Sequence, residues 1–228
     1  MINISESIKT ELLKHEAFDL IETMLGEEYP QSFNMEEFKT LKSFNARIKY
    51  CQENLKRISS GSSRIVYMID DEKVLKLAKN NKGIAQNEVE ISYGGDYTLD
   101  GIVAEVYESD ENALWLEMQL AKKITPISFK QITGWDFNDY ANIIYNYGIE
   151  SGNAGRYASK KSVPDELTEK AWEDDFTRGI FDYIGNYGVP AGDLTRLSTY
   201  GIVSDNGSDS VVIIDYGLTH DVYKSFYS

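Results

Sequence analysis

The sequence predicts an α+β protein in which a small antiparallel sheet lies between two helical segments. Apolar residues recur at helical spacing up to about residue 55, alternate with polar residues from residue 57 to about 118, and return to helical spacing beyond residue 125. A last pair of alternating segments lies near the C-terminus. Strands that are grouped together and helices that are grouped apart are typical of the α+β class.

Composition narrows the classes of partner. The 228 residues include 37 acidic and 23 basic side chains and carry a formal charge of −14, which repels nucleic acid and anionic membranes. The single cysteine, Cys51, cannot form an intramolecular disulfide. The first residues do not resemble a signal peptide, and no apolar run approaches the roughly 18 residues that cross a bilayer. We therefore expect a cytoplasmic protein that binds neither nucleic acid nor membrane. If the protein is viral, the compartment is the cytoplasm of the host.

The first 56 residues predict two helices. Apolar positions over 3–24 follow helical spacing, and a second helix begins with the capping pattern after Asn34 and continues to about Leu55. Neither helix carries residues with evident chemistry. We interpret residues 1–56 as a helical extension that packs and scaffolds.

Residues 57–120 predict a small lobe built on a sheet. A polar turn joins two alternating runs into a hairpin, a helix follows, and two more strands come after it. The predicted ranges are 62–70 and 73–78 for the hairpin, 84–93 for the helix, and 102–108 and 113–118 for the later strands.

Residues 121–228 predict a reduced helical lobe. Helical spacing covers 137–147 and 166–187, and a loop rich in Gly, Asn and Ser separates them. The strands of a closing hairpin, 200–203 and 211–214, are joined by a turn that contains Asn206-Gly207, a strong hairpin signal.

Lys76 is the most informative residue of the predicted sheet. It lies within the apolar run Val74-Leu75-Lys76-Leu77-Ala78, where a buried ammonium group needs a partner. Alternation puts Val74 and Lys76 on one face of the strand. The predicted helix offers Glu88 and Glu90, about 200° apart around its axis. We choose Glu88 as the partner and expect Glu90 to be exposed. Alternatively, Lys76 extends to solvent from an edge strand.

Three further motifs accompany this lysine. Gly61 and Val66 keep the spacing of a glycine-rich nucleotide loop, in which Ser62, Ser63 and Arg64 supply hydroxyl and guanidinium groups. Asp193 follows a glycine in Gly192-Asp193-Leu194. Asp215 follows the apolar strand Val211–Ile214 and precedes Tyr216-Gly217.

Taken together, these motifs resemble the protein-kinase-like superfamily over about residues 57–217. The resemblance implies a two-lobed kinase-like fold that binds ATP and Mg²⁺, in which the lysine contacts the α- and β-phosphates and pairs with a helix glutamate. It further implies that Asp193 orients or deprotonates the attacking hydroxyl and that Asp215 binds the metal. Alternatively, Asp193 caps a short turn and Asp215 is a solvent-facing acid at a strand end.

The resemblance extends to three other parts of the chain. The strand that ends in Glu117-Met118-Gln119 is similar to the segment against which adenine packs, with backbone groups that bind the base. Arg64 would contact phosphate directly. Ser198 stands where the family has a metal-binding asparagine, and its neutral hydroxyl is a weaker ligand.

These differences leave three functions open. The first is an ATP- and magnesium-dependent phosphotransferase that acts on an unidentified protein or small molecule. The second is a catalytically impaired pseudokinase or nucleotide-binding regulator, which Ser198, the loop with one glycine and the eleven residues after Gly217 favour. The third is a structural protein that keeps the fold for surface contacts. The compact lobe is typical of a phage-encoded version of the fold.

Overall fold

The computed structural model describes residues 29–154, 158–205 and 207–227. The helix predicted over 3–24 lies outside the described residues. The chain divides into two units between Lys56 and Arg57.

The first unit contains two short helices, α1 (Met35–Thr40) and α2 (Phe44–Asn54). The prediction of one continuous helix is wrong in its middle, because the backbone of Leu41 is extended and Ser43 caps a new helix. Asn34 caps α1 with its side chain, as its capping pattern predicts. Short polar side chains compete with helical hydrogen bonds, which is why Ser43 starts a helix instead of continuing one.

The second unit begins with the five-stranded antiparallel sheet. Its strands have the spatial order β1-β2-β3-β5-β4. The elements are β1 (Lys56–Ser60), β2 (Arg64–Met68), β3 (Lys73–Ala78), helix α3 (Asn81–Gly94), β4 (Val106–Ser109) and β5 (Trp115–Gln119). The hairpin, the helix and the two later strands agree with the predicted order. Strand β1, whose side chains are all exposed, was not predicted as a separate element.

The rest of this unit is helical with a second, three-stranded sheet of order β6-β7-β8. The elements are β6 (Lys122–Lys123), α4 (Pro126–Thr133), α5 (Phe137–Glu150), α6 (Asp165–Glu173), α7 (Asp175–Tyr187), β7 (Tyr200–Asp205), β8 (Ser208–Ile213) and α8 (His220–Phe226). The helix predicted over 166–187 is interrupted at Asp174, which ends α6 and caps α7 with its carboxylate. Helices α4 and α8 were not predicted.

One hydrophobic core joins the two sheets to the helices. It contains Val74 and Met118 from the larger sheet together with Phe129, Leu194 and Tyr216 from the remainder of the unit. The α+β class, with its small antiparallel sheet and separate helical part, is confirmed.

The backbone of residues 102–104 connects the segment before β4 to strand β8 of the smaller sheet. The amide of Ala104 donates to the carbonyl of Ile213 over 2.9 Å, and the amide of Ile213 donates to the carbonyl of Ile102 over 2.8 Å. The strand predicted over 102–108 therefore starts only at Val106, because its first residues pair with the end of β8. This pairing anchors the chain just before Asp215.

Within the described residues, the helices are too short or too polar for any of them to cross a bilayer.

Candidate functional site

Lys76 lies on β3, which is an interior strand between β2 and β5. Its side chain is buried, and its Nζ donates to Oε2 of Glu90 over 2.9 Å and to the carbonyl of Ile214 over 2.7 Å. The alternative in which Lys76 extends from an edge strand is wrong. The lysine is a paired, buried cation.

The glutamate that pairs with Lys76 is Glu90, so the prediction of Glu88 is wrong. Glu90 has no exposed surface, whereas Glu88 is exposed. The buried face of α3 carries Gly83, Gln86, Asn87 and Glu90, which follow the helical spacing of three, four and seven residues. A search for that spacing among small and polar residues would have identified Glu90, but the apolar pattern did not.

Glu90 also binds the backbone of the Asp-Tyr-Gly segment. Its Oε1 accepts hydrogen bonds from the amides of Tyr216 at 3.2 Å and Gly217 at 3.1 Å. A Cβ atom at Gly217 would lie 2.6 Å from the carbonyl oxygen of Gln86, so a glycine is required for this approach to α3. One carboxylate thus holds Lys76 and the residues that follow Asp215.

Arg64 completes the arrangement. Its Nη1 lies 2.7 Å from Oε2 of Glu90, its Nη2 lies 2.6 Å from Oδ1 of Asp215, and 8% of its side chain is exposed. We call Arg64, Lys76, Glu90 and Asp215 the ion cluster. Two cations and two anions make it formally neutral. Sequence reasoning assigned Arg64 to phosphate and missed its contacts with both acids, because no local pattern links β2 to the end of β8.

Burial and neighbouring charges shift the pKa values of Lys76, Arg64 and Asp215. Burial lowers the pKa of Lys76, Glu90 opposes this effect and Arg64 adds to it, so that the pKa falls below its ordinary value. Burial also disfavours the charge on Arg64, but Glu90 and Asp215 outweigh it and raise the pKa. Desolvation acts to raise the pKa of Asp215, yet the charges of Arg64 and Lys76 hold it below its ordinary value. Asp215 is therefore ionised at neutral pH.

Asp193 is the first residue of a short 3₁₀ turn, Asp193–Thr195, and does not cap it as the alternative interpretation supposed. Its side chain is 29% exposed and lies 3.2 Å from Arg196. Burial raises the pKa of Asp193, Arg196 opposes the rise and the charge of Asp215 adds to it. The charges of Arg196 and Asp215 thus act on the pKa of Asp193 in opposite directions.

Backbone contacts tie the loops of these acids together. The hydroxyl of Thr199 donates to the carbonyl of Asp193 over 2.7 Å, and its own carbonyl accepts from the amide of Ile214 over 2.8 Å. The buried hydroxyl of Tyr200 donates to the carbonyl of Leu194 over 2.8 Å. These hydrogen bonds link the segment that carries Asp193 to the end of the strand before Asp215.

The residues of the predicted glycine-rich loop form the tight β1–β2 turn. The amide of Gly61 donates to the carbonyl of Arg64 over 2.9 Å. The hydroxyl of Ser63 donates to Oε1 of Gln86, and that of Ser62 accepts from Lys82 Nζ over 2.9 Å. The two hydroxyls are thus engaged with α3, and their assignment to phosphate stays a prediction.

The remaining residues that were predicted to bind the nucleotide, Val66, Val74, Glu117, Met118 and Gln119, lie on strands β2, β3 and β5. Val66 on β2 stands opposite Lys76, and Val74 on β3 stands opposite Met118. Glu117 and Met118 are buried on β5, and the amide of Gln119 donates to the carbonyl of Glu105 over 2.9 Å. The contacts of these residues with the nucleotide stay a prediction, although the amide of Gln119 is already paired within the protein.

The arrangement around Asp215 does not fit a magnesium site. Mg²⁺ in phosphate-binding sites is held by one or two carboxylates together with phosphate oxygens. Here Oδ1 of Asp215 is already paired with Arg64, and Lys76 adds a second positive charge. Ser198, the other predicted ligand, is exposed in a 3₁₀ turn. Across the described ranges, no three Asp, Glu, His or Cys side chains are grouped to hold a metal ion.

No protein-family model and no curated protein matches this chain. Among solved structures, the aminoglycoside phosphotransferase APH(2'')-Ib with bound ADP is similar, with 11% identity over 76% of this chain and 70% of that chain and a TM-score of 0.32. The ternary complex of APH(2'')-IIa with streptomycin and ATP is 13% identical over 78% and 72% of the two chains, with a TM-score of 0.30. The gentamicin complex of APH(2'')-IIa is 12% identical over 78% and 70%, with a TM-score of 0.32.

Proposed function

We propose that this protein binds ATP at the ion cluster and transfers the terminal phosphoryl group to a hydroxyl acceptor. The observation that supports this function is the Lys76–Glu90 pair, held 2.7 Å from the carbonyl that precedes Asp215. A lysine from a strand, a glutamate from a helix and an aspartate from a strand end converge there. An ammonium group held in a fixed position can donate a charge-assisted hydrogen bond to a phosphate oxygen.

Lys76 has the donor capacity for a phosphate oxygen. An ammonium group has three N–H donors, and Lys76 uses one for Glu90 and one for the carbonyl of Ile214. The third donor would bind a phosphate oxygen at the edge of the cluster. Glu90 would keep the ammonium in place while the ligand is bound.

Asp193 is the general base in this proposal. Its raised pKa makes the carboxylate a better proton acceptor than an ordinary aspartate. The acceptor oxygen would form a bond to the terminal phosphorus, the bond to the leaving diphosphate would break, and the hydroxyl proton would pass to Asp193. The formal charge of −14 favours a neutral or cationic acceptor, or a basic protein surface.

A second candidate is a nucleotide-binding regulator that does not transfer phosphate. The ion pair between Arg64 and Asp215 favours it, because this pair occupies an oxygen of the acid that the kinase-like resemblance assigns to the metal. Both candidates require nucleotide binding, so binding and transfer must be measured separately.

Incubation with γ-labelled ATP and a panel of hydroxyl acceptors tests the transfer. The variant Asp193→Asn should lose about 10²- to 10⁴-fold in rate, the usual contribution of a general base. Asp205→Asn, an exposed acid at the end of β7, is the matched control and should retain the rate. Thermal shift with ATP should be equal in both variants, because a ligand stabilises the state that it binds.

Each result points to one function. Absence of label transfer to any acceptor, including the protein itself, together with a retained thermal shift would replace the phosphotransferase by the regulator. Absence of both would remove nucleotide binding altogether and leave a protein that keeps the fold for surface contacts.

A further inference from the structure

Arg64 occupies a fixed position in the sheet. It lies at the start of β2 and pairs in register with Ala78 of β3. The turn before it is anchored, since the amide of Lys79 donates to the carbonyl of Ser63 over 2.8 Å and the Ser63 hydroxyl donates to Gln86. The side chain of Arg64 therefore projects from a backbone that is held on both sides.

Side-chain contacts also fix the position of the Arg64 guanidinium group. It makes charged contacts of 2.7 Å with Glu90 and 2.6 Å with Asp215, and a 3.4 Å contact with the side-chain oxygen of Asn87. Charge-assisted contacts of this length are among the strongest that side chains form. Asp215, by contrast, is 69% exposed, so its carboxylate is accessible while its cationic partner is not.

The charges within the ion cluster leave little place for a third cation. Arg64 and Lys76 balance Glu90 and Asp215, so a divalent ion next to Asp215 would give the cluster a net charge of +2. Without Arg64 the same four positions would carry a net charge of −1. Arg64 and a metal ion at Asp215 therefore compete for one position.

We propose that the Arg64 guanidinium replaces a divalent metal as the cationic partner of Asp215, so that nucleotide binds to this protein without Mg²⁺. The part that concerns nucleotide rests on the proposed function. The exclusion of metal from Asp215 is a property of the ion cluster and can be tested without any nucleotide.

The first experiment measures Mn²⁺ binding by electron paramagnetic resonance. Wild type and Asp215→Asn should bind Mn²⁺ equally, which shows that Asp215 holds no metal. Arg64→Gln should bind Mn²⁺ about tenfold more tightly or better, because one positive charge is lost from the position beside Asp215. The double variant R64Q/D215N should lose this gain. Mn²⁺ binding to wild type that depends on Asp215, or no gain in Arg64→Gln, would overturn the inference.

Two control variants separate the effect of the Arg64 charge on Mn²⁺ binding from a general effect of substitution on the structure. Arg64→Lys keeps the positive charge and should show no gain in Mn²⁺ binding. Arg178→Gln removes an exposed arginine that pairs with Asp175, and should behave as wild type. If Arg64→Gln does not fold, the comparison of wild type with Asp215→Asn still decides whether Asp215 binds metal, and metal binding there would overturn the inference.

The second experiment measures the thermal shift of the wild-type protein by ATP in excess EDTA and in Mg²⁺. We expect equal shifts. A shift that requires Mg²⁺ would overturn metal-independent binding. The absence of a shift in both conditions would overturn the proposed function, whereas the Mn²⁺ experiment would still decide whether Arg64 excludes metal.

Discussion

The substitution Glu90→Gln removes one negative charge from the centre of the ion cluster with almost no change in shape. Glu90 accepts four contacts: Lys76 at 2.9 Å and Arg64 at 2.7 Å on Oε2, and two backbone amides at 3.1 and 3.2 Å on Oε1. A glutamine can still accept the backbone hydrogen bonds with its oxygen. Its NH₂ group, however, would face two cations that have only N–H donors.

The size of the effect follows from burial. Glu90 is completely buried, and the side chains of Lys76 and Arg64 are 6% and 8% exposed. Removal of one partner from a buried ion pair costs about 3–5 kcal/mol, because the remaining charge loses its compensation. A protein of this size loses roughly 2–4 °C in Tm per kcal/mol. We therefore expect a decrease in Tm of roughly 6–20 °C.

Glu88→Gln is the matched control, because it makes the same chemical change two residues away on the exposed face of α3. Exposed substitutions usually change the free energy of unfolding by less than about 0.5 kcal/mol. Urea unfolding, followed by far-UV circular dichroism, measures both variants against wild type. Equal free energies of unfolding for Glu90→Gln and Glu88→Gln would refute the central role of Glu90.

Three further predictions concern the segment from Asp215 to Gly217. Tyr216→Phe should lower the free energy of unfolding by about 1–3 kcal/mol in urea titrations, because the buried carbonyl of Ala104 loses a 2.7 Å hydrogen bond; no change would show that the carbonyl finds another donor. Gly217→Ala should lower the free energy of unfolding by about 1–3 kcal/mol, because its Cβ would overlap the backbone of α3. The control Gly95→Ala, at a position with a negative φ and a nearest contact of 3.6 Å, should be neutral or stabilising. Equal effects of the two substitutions on the free energy of unfolding would exclude the overlap. The pKa of Asp215 lies below its ordinary value of 3.8, so its charge stabilises the fold above that value and this contribution is lost as the pH falls through the folded-state pKa. The stability difference between wild type and Asp215→Asn should thus shrink between pH 5 and pH 2, and a difference that grows towards acid would contradict the sign of the shift.

Local sequence predicted the structural elements that are specified by patterns within a few consecutive residues. The closing hairpin follows from alternation on both sides of a turn that contains glycine, and the paired strands run in the predicted order. The capping role of Asn34 needs only the next three residues. The interruptions at Leu41 and Asp174 were missed, because the helical spacing of apolar residues continues across both positions while the backbone does not.

For the candidate site, too, local sequence indicated some features and missed others. The apolar neighbours of Lys76 indicated a buried charge that needs a partner, and the strand before Asp215 indicated an acid at a strand end. The spacing of Glu88 and Glu90 showed only that they face opposite sides of a helix. The sequence could not tell which side packs on the sheet, because the buried face of α3 is lined by polar residues.

By itself, then, the sequence determined the α+β class, the hairpins, and the apolar strands in which Lys76 lies and after which Asp215 follows. Each of these features depends on contacts between residues that are close along the chain. Only the tertiary structure decided that Glu90 is the partner of Lys76 and that Arg64 pairs with Asp215, 151 residues away. The physical reason is that periodicity fixes which side chains share a face, whereas the packing of whole elements fixes which charges meet. An ion pair between distant elements leaves no local pattern in the sequence.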